Sequence, residues 1–446
     1  MRFLLRLGII CALIFLLFPG CKQKPYSAAS FNDPLTYINT VRKLNDVVVE
    51  NIFSPVVASR NYAYANIAAY EIASLNNDSL PTLYGKVKGL PSIPKPQDIT
   101  KINQHFAALW AFCKVGNAVT FPEGSMGEFM AGLEKQAANE GMPGEIIKAS
   151  KAYADMVGDS IMQWAKGDNY APTRSASRYT VSDEENRWAP TPPAYSQAIE
   201  PHWNEIRSLL MDSASQFICP RPPIYDVTNK KSQFYKEVMQ VKTLVDSLTD
   251  DQKHMAKFWD DNPFELHISG HVMYATKKFS PPGHWLNIIG VAAKQKKLSF
   301  NQTIQVYTYA SIAIFESFIV CWDEKYKSNY VRPETVINKY IDPEWRPFIQ
   351  TPPFPEYTSG HAVMSASLAE VLTQYFGDNY KFTDTTQEVF DVKQRSFTSF
   401  HQAAAEAGMS RCYGGIHFIN TFHVSAEQGK MIGQYVIRRL DIKQQN

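Results

Sequence analysis

Two ten-residue stretches, far apart in the chain, carry the same helical pattern. "YAYANIAAYE" spans Tyr62 to Glu71 and "YTYASIAIFE" spans Tyr307 to Glu316. Six of the ten positions are identical: Tyr62/Tyr307, Tyr64/Tyr309, Ala65/Ala310, Ile67/Ile312, Ala68/Ala313 and Glu71/Glu316. Small residues at helical spacing permit close helix packing. The plain alternative is convergent core composition. The shared tyrosine, alanine and glutamate frame points instead to two related helical bundles.

The remaining pattern is also helical. "YINTVRKLNDVVVENIF", "INQHFAALWAFCKVGNAV" and "GEIIKASKAYADMVGDSIMQWAKG" place apolar residues three and four apart, and alternating strand patterns are scarce. From about Asp168 to Pro223 the chain is rich in proline, which reads as an irregular connection laid over helices. The expected class is all-α. An N-terminal bundle with its proline-rich connection covers 37–223, and a C-terminal bundle covers 224–446. Hydrophobic residues make up 45% of the chain, enough for a sizeable core, and a net charge of +2 gives no reason to expect nucleic acid.

The first residues read as a targeting segment. Arg2 and Arg6 precede an apolar run from Leu7 to Phe18, and Gly20-Cys21 follows. A small residue before cysteine resembles the bacterial lipoprotein cleavage site. The expectation is a signal peptide over 1–21, lipidation at Cys21, a polar tether over 22–36 and a location in the periplasm or cell envelope, anchored to a membrane. A plain secretory signal and an uncleaved anchor are the alternatives. No other stretch reads as apolar enough to span a membrane. Cys113, Cys219, Cys321 and Cys412 are too sparse for a disulfide scaffold, although one bridge is compatible with an oxidising compartment.

Three pieces of the C-terminal third carry chemistry. The first is "EKYKSNYVRP". Lys325 and Arg332 are seven residues apart, so on a helix continuing "QVYTYASIAIFESFIVCW" they share a face, and Pro333 ends that helix at Arg332. Taken alone, the pair reads as a solvated face. The second piece is "TPPFPEYTSGHAVMSASLAEVLTQYFG". Prolines hold an extended approach, and a helix begins around Ser359-Gly360-His361. Its free N–H groups suit an anion, Gly360 allows close approach, and His361 is placed to move a proton. The third is "SRCYGGIHF", in which Arg411 offers a planar fork of donors. Gly414-Gly415 break a helix there, and His417 starts the next helical run. Together these residues make a pocket for a compact, multiply charged tetrahedral oxyanion.

The spacing of Lys325…Arg332-Pro333, Ser359-Gly360-His361 and Ser410-Arg411…His417 resembles the motif shared by vanadium-dependent haloperoxidases and type 2 phosphatidic acid phosphatases. Thr358 stands where that pattern usually has proline. "FPEYTSGHA", "FWDDNP…PPGHW" and "GGIHF" are similar to the haloperoxidase side. The resemblance implies vanadate bonded to His417 and held by Lys325, Arg332, Ser359, Gly360 and Arg411. His361 assists proton transfer as hydrogen peroxide oxidises a halide. The phosphatase alternative implies no cofactor and a phosphate ester as substrate, with His417 as nucleophile and His361 as general acid. Trp322 and Phe354 match aromatic positions of the pocket wall, and Asp261 would orient Arg411, with Asp260 nearly as well placed. A third reading is a non-catalytic helical lipoprotein that binds ligands through its aromatics. The full set of Lys325, Arg332, His361, Arg411 and His417 argues against it.

Other residues read more plainly. His267 and His271 lack the glutamate of a metal motif. His284 in "PPGHW" reads as a structural hydrogen-bonder in a tight turn. His423, six past His417, faces away from it. Cys321 and Cys412 read as small buried apolar residues.

Overall fold

The computed structural model describes residues 26, 28–120, 125–269 and 272–445, and the side chains of 267–275 are not among those described. The targeting segment, Cys21 and His271 therefore lie outside the described residues, as does the His267 side chain.

The labelled helices are α1 (Pro34–Glu50), α2 (Pro55–Ala73), α3 (Gln104–Val119), α4 (Gly127–Asn139), α5 (Gly144–Ala165), α6 (Gln233–Asp246), α7 (Asp250–Phe258), α8 (Pro281–Lys296), α9 (Phe300–Ser328), α10 (Pro333–Tyr340), α11 (Gly360–Phe376), α12 (Phe400–Tyr413) and α13 (Ile419–Leu440). Two short antiparallel hairpins interrupt them, β1 (Leu266–Ser269) with β2 (Val272–Ala275) and β3 (Phe382–Asp384) with β4 (Arg395–Phe397). The protein is all-α in class.

The repeated stretches lie in α2 and α9, and these two helices pack together at the centre. Tyr70 and Tyr309 hydroxyls meet at 3.2 Å, Asn66 Nδ2 donates to Ser311 Oγ at 3.0 Å, and Thr308 Oγ1 donates to the Asn66 carbonyl at 3.2 Å. Every residue of α2 is buried. The repeated glutamates do one job twice. Glu71 accepts from the Leu83 N–H and the Thr82 hydroxyl, and Glu316 accepts from the N–H groups of Leu209, Leu210 and Met211. Each buried carboxylate satisfies backbone donors of the chain that returns over its helix. One apolar core runs without a break through α2, α3, α9, α11 and α13, so the two bundles merge along α2 and α9.

Two expectations need correction. α9 is long and apolar enough to cross a membrane, but its apolar window is wholly buried in protein, so it serves as the core helix. It also ends four residues earlier than Arg332: Asn329 adopts the left-handed conformation and closes it after Ser328. Arg332 is extended (φ −80°, ψ 149°) and caps α10, whose first residue is Pro333. Lys325 and Arg332 thus come from different elements rather than one helix face. Cys113, Cys219, Cys321 and Cys412 are all buried and free, in keeping with their reading as too sparse for a disulfide scaffold.

The proline-rich connection braces the site from behind. Its Ile199 carbonyl accepts from Trp322 Nε1 and the Tyr326 hydroxyl, and its Ile199 N–H donates to the Pro353 carbonyl.

Candidate active site

The end of α9, the loop before α11 and the start of that helix, the end of α12 and the loop before α13 converge on one small cavity of about 40 Å³, lined in part by Asp260, Asp261, Trp322, Phe354, Gly360, His361, Arg411 and His417. A single water needs about 10–15 Å³, so there is room for a small oxyanion.

The cations are fully inside. Lys325 Nζ donates to the Pro355 carbonyl at 2.8 Å and the Glu356 carbonyl at 3.1 Å. Arg332 donates through Nε to the Phe354 carbonyl (3.0 Å) and through Nη1 to the Ile416 carbonyl (2.7 Å). Arg411 Nη2 donates to the Ala256 carbonyl at 3.2 Å. Burial pulls Lys325 down to about 7 and Arg332 to about 10. Among the described residues neither has a carboxylate within ion-pair distance, and Arg411 has only Asp260, at 3.8 Å. Three buried cations without close counter-ions are costly unless an anion joins them.

His417 lies in the loop before α13, not at its start, and a buried carboxylate orients it. Glu356 Oε1 accepts from His417 Nδ1 at 2.8 Å and the Phe418 N–H at 3.1 Å, while Oε2 accepts from Thr421 Oγ1 at 3.0 Å. With Nδ1–H committed to Glu356, the lone pair is on Nε2, which meets Arg332 Nη1 at 3.2 Å. Burial first, then Arg332 and Lys325, hold His417 well below the usual imidazole range, so the ring is neutral and able to donate that lone pair.

Ser359 caps α11. Its N–H donates to Ser425 Oγ at 2.9 Å, while its own buried hydroxyl has no partner among the described residues. His361, in the first turn, is 17% exposed on the pocket wall, and among the described residues its Nε2 also lacks a hydrogen-bond partner. A backbone hydrogen bond to Trp259 holds the ring, and burial followed by Arg411 keeps its pKa far below normal. Thr358, at the position of the expected proline, is buried and donates to Gln428 Oε1 at 3.1 Å, away from the ligand set. The Trp322 and Phe354 rings lie beside the cavity, tilted against each other at 52° with centroids 5.1 Å apart.

Two assignments differ from the sequence reading. Asp260, not Asp261, is the carboxylate facing Arg411, and it also pairs with Lys278 at 2.9 Å. Asp261 instead bonds His284 Nδ1 at 2.9 Å and lies 4.0 Å from His361 Nε2. His284 is in the first turn of α8 rather than a tight turn. Sequence reasoning missed Glu356 as the partner of His417; the available signal was a lone acid inside a proline run that leads to the anion site. His423 is exposed on α13.

Residues 305–445 match the family model described as the VCPO second helical-bundle domain. Among solved structures, the chain is similar to a bacterial vanadium-dependent iodoperoxidase at 41% identity, covering 95% of this chain and 100% of that one, with a TM-score of 0.88. The chain belongs to the vanadium-dependent haloperoxidases. Two bacterial vanadium-dependent chloroperoxidase structures, holo and apo, share the fold, with TM-scores of 0.66 and 0.65 at 17% and 15% identity. They cover 88% and 87% of this chain, and 93% and 94% of those chains are covered. No curated protein matches. Membership in the haloperoxidases implies vanadate as cofactor, and hydrogen peroxide and a halide as substrates. The residues present fit such a group: the Ser359 hydroxyl is orphaned, the cations lack close counter-ions, and the neutral His417 offers one nitrogen.

Proposed function

We propose that this haloperoxidase oxidises iodide with hydrogen peroxide at vanadate held by His417, Lys325, Arg332, Arg411, Ser359 and Gly360. The observation that carries the assignment of residues is the convergence of three buried, poorly countered cations on the neutral His417 and the unpartnered Ser359 hydroxyl. The iodide assignment rests on the 41% identity to the iodoperoxidase.

When bound, vanadate supplies a Lewis-acidic centre that activates peroxide without changing its own oxidation state. The chain does the rest. Lys325, Arg332 and Arg411 neutralise the oxyanion charge, and the Ser359 hydroxyl and Gly360 N–H donate to its oxygens. Glu356 keeps His417 Nε2 turned toward the cavity. Halide, hydrogen peroxide and one proton give hypohalous acid and water, and His361 Nε2 is the group that handles that proton. Trp322 and Phe354 present an apolar wall that limits water at the reacting atoms.

The test is a vanadate titration of peroxide-dependent oxidation, run separately with iodide, bromide and chloride. Iodide turnover that saturates with vanadate and exceeds the other halides supports the proposal. Equal turnover of bromide or chloride would remove the iodide assignment. We also infer that the protein is exported and lipid-anchored through Cys21. A Cys21→Ala variant that stays in the membrane fraction would refute this.

A further inference from the structure

A buried ionic chain lies behind His361. Asp384 Oδ2 meets His284 Nε2 at 2.8 Å, and His284 Nδ1 meets Asp261 Oδ2 at 2.9 Å and Oδ1 at 3.1 Å. Gln387 Nε2 donates to Asp261 Oδ1 at 2.7 Å. All four side chains are buried. Trp259, whose backbone holds the His361 ring, packs its own ring against His284, tilted at 35° with centroids 4.8 Å apart.

We propose that His284 and Asp384 are positioning residues for His361: acting through Asp261, they fix the carboxylate that faces His361 Nε2 across 4.0 Å. This rests on the proton-handling role given to His361 above. Asp260, next in sequence, turns to Lys278 and Arg411. Without His284 and Gln387, Asp261 would be free to turn the same way and leave His361. Burial opposes a charge on His284, yet Asp261 and Asp384 together raise it to about 10, so the imidazolium persists. Two carboxylates around one imidazolium leave one negative charge inside the protein. A device that only tied the β3–β4 hairpin to α8 would need a neutral pair at most. The carboxylate of that chain nearest His361 Nε2 is Asp261, at 4.0 Å, and the cations acting on the same ring are Arg411, His284 and Lys325.

The test uses His284→Gln and Asp384→Asn in the full chain, each alone and combined with His361→Ala. Folding is checked by calorimetry, vanadate affinity by equilibrium dialysis, and turnover with iodide. The expected result for the single variants is vanadate affinity within about twofold of the parent. Their turnover falls about ten- to a hundredfold. In the His361→Ala background the same substitutions cause no further fall, because the residue they act through is gone. An equal fractional fall in both backgrounds, unchanged turnover, or a loss of vanadate affinity that matches the loss of turnover would each overturn the inference. If His284→Gln does not fold, Asp384→Asn decides. Full turnover in His361→Ala alone would sink the role of His361 and this inference together. Loss in His361→Ala with no effect of either network variant would sink only the inference.

Discussion

Replacing Glu356 with glutamine separates what the site needs for stability from what it needs for chemistry. Glu356 is fully buried, and desolvation raises its carboxyl from the ordinary 4.5 to about 7 despite Arg332 and Lys325. A carboxyl raised on folding stabilises the protein fully below about pH 4.5, and that contribution is lost as pH rises through 7. At about 1.4 kcal/mol per pH unit, the gap is worth about 3 kcal/mol. Glutamine keeps an acceptor for the His417 Nδ1–H and the Phe418 N–H, and it carries no charge to desolvate. Urea unfolding of vanadate-free protein should therefore find Glu356→Gln about 3 kcal/mol more stable than the parent at pH 8, with the difference gone by about pH 4.5. Turnover should nonetheless fall about tenfold or more, because a carboxylate that polarises a ligating histidine has become a neutral amide. A variant less stable than the parent by the same amount at both pH values would refute the reasoning. It would mean that Lys325 and Arg332 more than compensate the buried charge.

Three further outcomes follow from the same geometry. Ser359→Ala removes a hydroxyl without a partner, so stability should stay within about 0.5 kcal/mol while vanadate affinity, read by dialysis, falls about tenfold. Burial depresses Lys325 from 10.5 to about 7, so the parent gains stability as pH rises across that window. Lys325→Met should lack this gain in unfolding experiments, and its vanadate affinity should drop by more than about tenfold. A methyl group on Gly429 would lie 2.1 Å from the Val363 carbonyl oxygen, across the contact between α11 and α13. Gly429→Ala should cost about 3 kcal/mol or more in thermal unfolding, because backbone cannot yield as a side chain can.

What was legible in the sequence had local causes. Proline before the anion site and glycine within it punctuate the start of α11, so Ser359, Gly360 and His361 were placeable from pattern. The helical repeat marked the two central helices because each must be buried on all sides. The rest depends on contacts between distant positions. Asn329 ended α9 early through a left-handed turn that composition does not demand, and this moved Lys325 and Arg332 onto separate elements. Asp260 and Asp261 are neighbours in a loop, where no periodicity says which way each points. Glu356 bonds His417 across 61 residues and His284 bonds Asp384 across 100. Nothing at either end of these pairs announces the other.

The most direct test of the central claim compares the parent with His417→Ala for both vanadate binding by equilibrium dialysis and vanadate-dependent iodide oxidation by hydrogen peroxide. The prediction is saturable binding and turnover in the parent, with both lost in a variant that still folds. Turnover that survives in His417→Ala, or that needs no vanadate in the parent, would contradict the assignment of His417 as the residue that holds the cofactor.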